Sequence, residues 1–200
     1  MRRTQVLCVA AALTMSTSSG VAQEPRRPAE VRRVVTGLDT AGKAVVLFDS
    51  AVALNAARTP NAVGDLWMSD TSPADFSWTE DPAATPLRLT PPRSGSVFRV
   101  VDFPPISPAA EEMDVNAMTK VVGSDVPRRG LPPRHPMMHR TRSLDYAIIL
   151  SGEIDMMLDE TTVHLKAGDV VVQQATNHAW INRGTELCRV AFILIDSQEP

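Results

Sequence analysis

The chain has 200 residues, 44% of them apolar and only 4% aromatic, with a formal net charge of −3 at pH 7. That is apolar material for one buried core, and it leaves no basic stripe of the kind that binds nucleic acid. Sixteen prolines against ten glycines favour short strands and turns over long helices.

Residues 1–22 read as a cleaved export signal. Arg2 and Arg3 make a basic start, and Val6 to Met15 form an apolar stretch too short to cross a bilayer. Gly20-Val21-Ala22 then places small residues where a signal peptidase reads. A retained anchor or uncleaved tail is the alternative. Cleavage would leave 18 basic against 23 acidic side chains, a net charge of −5, and no membrane span. It predicts a periplasmic or secreted protein. Cys8 would leave with the signal, so Cys188 would have no internal disulfide partner. Within the run Leu187 to Phe192 it is expected to be a small buried hydrophobe.

Residues 23–30 read as a solvated linker, and residues 31–105 as N-terminal strands followed by a proline-rich covering segment. Val31–Val35 and Ala44–Phe48 are β-branched runs separated by Asp39-Thr40-Ala41-Gly42, which predicts a hairpin. A short helix is expected over Ser50–Ala57 and a strand over Asp65–Met68. Prolines at 73, 82, 86, 91 and 92 make the stretch from Thr71 to Ser96 irregular. Ser96–Phe103 predicts a strand stopped by Pro104-Pro105. Residues 106–129 read as a loop, with a short helix expected over Glu111–Thr119.

Residues 130–196 predict six short strands: Leu144–Leu150, Glu153–Leu158, Thr162–Leu165, Asp169–Gln173, Ala179–Asn182 and Leu187–Ile195. Turn residues separate them, among them Ser151-Gly152 and Ala167-Gly168-Asp169. Strands at this spacing, with no helical pattern between them, predict an all-β sandwich or closed barrel and exclude a parallel α/β sheet.

Three of the four histidines fall at the mouth of that barrel: His135, His139 and His178. His164 lies in Thr162-Val163-His164-Leu165, whose apolar neighbours should face inward, so His164 should face solvent. His139, Thr141 and Asp145 are separated by even numbers and share one strand face. His178 follows the turn Ala175-Thr176-Asn177, which can return it opposite that face. Two imidazoles and one carboxylate would hold a divalent ion and leave three positions open for substrate, water or oxygen. Iron, manganese, nickel and zinc all suit the set. Two plainer roles stand beside this one. Asp145 can pair with Arg140 or Arg142, and His178 can cap its turn. His135, four residues before His139, is either an additional ligand or an exposed loop residue. Met137 and Met138 suit core gaps, or soft copper. Trp180 shares parity with His178 and is expected to line the pocket, with plain core packing as the alternative. Tyr146 should face the other side.

The segments MHRTRSLDYAIILSGEIDMML and LKAGDVVVQQATNHAWINR resemble the two motifs of the cupin superfamily. His139 falls on the first motif's leading histidine, Asp145 on its glutamate and Gly152 on its glycine. Gly168, His178 and Asn182 fall on the second motif. More narrowly, the chain is similar to small single-domain cupins with an HRT…DY and a GT-x-HAW-x-N segment. The resemblance covers residues 130–195 well and Val31 to Pro105 more thinly. Three residues depart from the family pattern. Thr141 stands where a second metal-binding histidine is usual, Asp145 is one methylene shorter than glutamate, and Ala175 replaces a turn glycine.

The resemblance implies a double-stranded β-helix, or jelly-roll barrel, with an N-terminal hairpin arm. It also implies a homodimer that pairs through the outer sheet and the hairpin. The function expected is that of an exported small-molecule cupin. As a metal-assisted enzyme it would be of oxygenase, decarboxylase, isomerase or lyase type, with the ion on His139, Asp145 and His178. Without metal, His178 would act as general base, with Asp145 or Thr141 orienting the substrate. The alternative is a non-catalytic, metal-free binding protein, the direction in which Thr141 points.

Overall fold

A computed structural model describes residues 29–57, 59–78, 80–84, 89–112 and 129–198. The export signal expected over residues 1–22 lies outside the described residues. The described strands are β1 (Glu30–Leu38), β2 (Ala44–Ala53), β3 (Ala62–Ser69), β4 (Ser96–Phe103), β5 (Ser143–Ser151), β6 (Glu153–Met157), β7 (Thr162–Lys166), β8 (Val170–Gln174), β9 (Ala179–Ile181) and β10 (Cys188–Asp196).

β1 and β2 form a separate hairpin. Five strands make one antiparallel sheet in the order β3-β4-β10-β5-β8, and three make a second in the order β7-β6-β9. The expectation of a barrel holds, but the barrel reaches further back than residue 130. β3 and β4, expected as strands but placed outside the barrel, are full members of the larger sheet.

Side-chain alternation explains how the sheets close on each other. Ser143, Asp145, Ala147 and Ile149 point inward from β5, as Cys188, Val190, Phe192 and Leu194 do from β10. They meet Ile154 and Met156 of β6, Leu165 of β7 and Trp180 of β9 in one core. Cys188 is fully buried there, as expected. β4 is buried on both faces. Val97, Arg99, Val101 and Phe103 face the interior parity, while Val100 packs outward with Leu54, Leu66 and Ala191.

That outer cluster is where the N-terminal arm sits, with Val31 and Val52 laid against it. Arg33 pins the arm: its guanidinium donates to Leu66 O at 3.0 Å and pairs with Asp81, at the start of a short 3₁₀ turn over Pro82–Ala84. The turn between the arm's strands is held by Asp39, whose Oδ1 accepts from the backbone N–H of Ala41 and Lys43.

Two elements differ from expectation. No helix forms over Ser50–Ala57. β2 runs on to Ala53, with Ser50 opposite Arg33 and Ala51 opposite Arg32, and Asn55 bridges to Val63. A cross-strand partner outweighs the weak helical preference of alanine and serine. The helix expected over Glu111–Thr119 is instead a single turn, Pro108–Glu111, capped by Ser107, and residues 113–119 lie outside the described residues. His164 is exposed on β7, its Nδ1 2.9 Å from Asp155 Oδ1. Leu165 is buried as expected, whereas Val163 stays 44% exposed.

The turn before His178 carries a departure from the family pattern that the backbone registers. Ala175 has φ +50°, in the left-handed region that costs a residue with a Cβ about 1–2 kcal/mol. Ala175→Gly is therefore expected to raise stability by up to about 1 kcal/mol in chemical denaturation. A loss of stability there would refute the strain.

Candidate functional site

The site begins with a backbone contact. His139 and His178 face each other as an isolated antiparallel bridge, each N–H donating to the other's carbonyl at 2.9 Å. The rings therefore stand side by side, with centroids 4.4 Å apart. His139 Nδ1 lies 2.9 Å from Met137 O, and His178 Nδ1 lies 3.0 Å from Thr176 O. A carbonyl only accepts, so each Nδ1 carries the proton and each Nε2 keeps a lone pair. The turn-capping role weighed for His178 and its place in the pocket are thus the same arrangement.

Both rings line a cavity of about 120 Å³ together with Arg99, Val101, Phe103, Thr141, Asp145, Trp180 and Phe192. Trp180 fills both roles foreseen for it. It lies in the core, edge-on to Phe192 with ring centroids 5.4 Å apart, and it forms part of the cavity wall. Tyr146 stays outside, on the opposite face of β5.

Asp145 is held by its Oδ2, which accepts from Gln173 Nε2 at 3.0 Å and from Thr141 Oγ1 at 3.3 Å. Oδ1 is buried without a well-formed hydrogen bond. Arg140 and Arg142 turn elsewhere, to Ala175 O and to Asp196, so the surface pairing considered for Asp145 does not form. Burial pushes the Asp145 carboxyl up to about 6, against the pull of its hydrogen bonds and of Arg99. Burial, and then its neighbour His139, push His178 down to about 3, and burial lowers His139 as well.

Burial thus disfavours the protonated form of His178 and favours that of Asp145.

The expected metal triad is brought to one cavity but not to one point. Among the described residues, no three His, Cys, Asp or Glu side chains gather closely enough to hold an ion. The two Nε2 atoms, their Nδ1–H groups tied to carbonyls, have the outer-shell support of metal-binding imidazoles. Donor chemistry therefore fits an ion on the histidine pair. Asp145, one methylene short and held by Thr141 and Gln173, does not complete the set. His135 does not rescue it. It is buried rather than exposed, its Nδ1 accepts from Met137 N at 3.0 Å, and it is absent from the cavity wall. Met138 packs in a small core with Met157 and Ile181, while Met137 borders the cavity.

Two site residues went unseen in the sequence. Arg99 was open to discovery, being the charged member of an inward-facing series in Ser96–Phe103. Gln173 was not, because only the register that sets it opposite Asp145 gives it a role.

A family profile described as "Cupin domain" matches residues 127–195. Phomopsin biosynthesis cluster protein D of Diaporthe leptostromiformis is 34% identical over 140 residues, 66% of this chain and 59% of that protein. The cupin-domain-containing oxidoreductase srdD of Neurospora crassa is 28% identical over 179 residues, covering 85% and 77% of the two chains. This chain thus spans about three-fifths of the phomopsin-cluster relative. Among solved structures, the Schizosaccharomyces pombe Cnp3 cupin domain aligns with a TM-score of 0.42 at 14% identity, over 84% of this chain and 88% of that one.

Asp145 ties the site to stability with a definite sign. Its folded pKa lies above the unfolded value of 3.8. Its contribution is therefore fullest below pH 3.8 and is lost as pH rises towards about 6. Asp145→Asn is expected to stabilise the fold by roughly 1–3 kcal/mol at pH 8 and by little at pH 4. Thermal unfolding at the two pH values reads this, and equal effects at both would contradict it.

Proposed function

The chain belongs to the cupin superfamily, and from that premise we propose that it is an enzyme acting on a small organic substrate in the barrel cavity. The observation that carries this is the buried carboxyl of Asp145, held by Thr141 and Gln173 in the cavity that two imidazoles of fixed tautomer also line. Buried side chains held in this way cost stability and repay it only in chemistry.

Asp145 gives or takes the proton. Thr141 orients Asp145 and reaches the substrate beside it. His139 and His178 accept hydrogen bonds through Nε2 from a substrate hydroxyl, and Trp180 packs against its apolar part. Such a set suits proton abstraction next to a carbonyl, as in isomerisation or dehydration. A divalent ion on the two Nε2 atoms would supply Lewis-acid polarisation of a substrate carbonyl. Iron, nickel and zinc suit imidazole, and manganese leans towards carboxylate oxygen. The word oxidoreductase in the name of the Neurospora crassa relative supports an enzyme and favours that metal-assisted form. Thr141, in place of a histidine, favours the second reading, a metal-free binding protein.

One experiment separates them. The purified protein is incubated with a mixture of small organic acids, ketones and alcohols while consumption is followed by mass spectrometry, and metal content is measured before and after chelation. Consumption that falls at least about a hundredfold in Asp145→Asn supports the enzyme. Metal lost in His139→Ala and His178→Ala supports the metal-assisted form. Binding without consumption leaves the binding protein.

We further propose that the chain is exported and pairs with a second copy. Export rests on residues 1–22. Pairing rests on the outer face of the five-stranded sheet, where Phe98, Ile193, Tyr146 and Val172 form one cross-strand row, with Phe98 39% and Val172 56% exposed. Secreted protein is expected to begin at Gln23 and to scatter light with the mass of two chains. A retained Met1, or the mass of one chain, would end the corresponding proposal.

A further inference from the structure

We propose that the substrate carries an uncharged, apolar tail, and that this tail lies in a second cavity while the reacting head lies beside Asp145. The proposal rests on the enzyme reading above and names its substrate class. That class is a small hydroxyl- or carbonyl-bearing head joined by a linker to a ring or branched chain.

The second cavity, of about 270 Å³, is bounded by Pro60, by the segment that leaves β4 and by the end of β9. Asn61, Phe103, Met137 and Trp180 line both cavities, so these four side chains form a shared wall. Two of them are fixed. Phe103 and Trp180 belong to the main core, and Trp180 stands edge-on to His178 with ring centroids 6.4 Å apart. The second cavity is thus one indole away from the imidazoles. Met137 is the adaptable member. His135 Nδ1 accepts from its N–H at 3.0 Å, and His139 Nδ1 donates to its carbonyl at 2.9 Å. Its backbone is held on both sides, while its unbranched thioether can shift to let a linker pass.

The chemistry of the second cavity selects its guest. None of the described residues that line it is charged. Of its amide and hydroxyl side chains, Asn182 and Ser107 are engaged by the chain itself. Asn182 donates to Phe103 O at 2.8 Å and to Glu186 O at 2.7 Å, and it accepts from Gly184 N–H at 2.9 Å. Ser107 Oγ accepts from Ala110 N–H as the cap of the turn Pro108–Glu111. A guest therefore meets Pro60, Pro104, Ile106, Ala110 and Ile181. Such a surface favours removing an apolar group from water and offers a charge no partner of opposite sign. The cavity is a built feature, because Ile106 N–H donates to Asn182 O at 2.8 Å and laces the segment after β4 to the end of β9. Pro104, Pro105 and Ser107 are exposed at its rim, so the far end of a tail can remain in water.

Benzyl alcohol and 4-(benzyloxy)benzyl alcohol, the same head with and without a linked ring, test this on the full chain. Calorimetry gives the affinities, and methyl NMR shifts give the location, since Leu194 lines only the first cavity and Ile106 and Ile181 only the second. The short probe is expected to move Leu194 alone. The long probe should move Leu194, Ile106 and Ile181 together and bind at least about tenfold more tightly. Ala110, half-buried on its single helical turn, lines only the second cavity. Ala110→Phe fills that space and should erase the gain of the long probe while the affinity for benzyl alcohol stays. A long probe that moves the methyl groups of one cavity only would overturn the proposal. So would equal affinity for the two probes, a gain that survives Ala110→Phe, or no binding of either probe at millimolar concentration. Consumption of substrates with no preference for a tail would remove the second subsite and leave the enzyme standing. Occupation of both cavities by the long probe, with no compound consumed, would do the reverse.

Discussion

Two backbone hydrogen bonds between His139 and His178 decide most of what this molecule can do. They join the entry to β5, in the larger sheet, with the entry to β9, in the smaller one, and so tie the two sheets together at the mouth of the cavity. Directly opposed residues of an antiparallel pair project to the same side, and the rings consequently meet. The contact is made by main chain alone. Substitution at either position leaves these donors and acceptors in place.

Around that point, the cavity follows a consistent electrostatic design. Each charged side chain in its wall is supported from outside the cavity or from its rim: Asp145 by Thr141 and Gln173, Arg99 by Asp65. The imidazoles are kept neutral by burial and held in one tautomer by carbonyls. Little has to reorganise when a substrate enters, which is the condition under which fixed dipoles and charges act most strongly on a reacting molecule. The cost appears as buried polar groups that a purely structural core would have replaced with valine or leucine.

Much of this was readable from the sequence, and the limits have physical causes. Period-two alternation placed the six strands after residue 130, parity placed His139, Thr141 and Asp145 on one face, and the turn at Ala175 to Asn177 placed His178 opposite it. Alternation failed at Ser50–Ala57, because small residues take their conformation from whichever partner strand is present, and that partner was β1, the other strand of the hairpin. It could not show that β3 and β4 enter the main sheet, since β4 pairs with β10 across nearly half the chain and β3 joins only through β4. Whether Asp145 would reach the two imidazoles was a question of ångströms. It was settled by Gln173, whose place opposite Asp145 exists only once β8 has docked at the sheet edge.

The position of β10, between β4 and β5, has a consequence for how the protein comes into being. β10, the last of the described strands, is the central strand of the larger sheet, so β4 and β5, which bear Arg99 and Asp145, are not joined until it arrives. During synthesis the histidine bridge can close from residues made before β10, whereas the finished cavity must wait for β10 itself. Folding is thereby dominated by long-range pairing and is expected to be slow. Residues 127–195, for all their likeness to a cupin domain, supply the smaller sheet and three of the five strands of the larger one, and β3 and β4, made first, complete it.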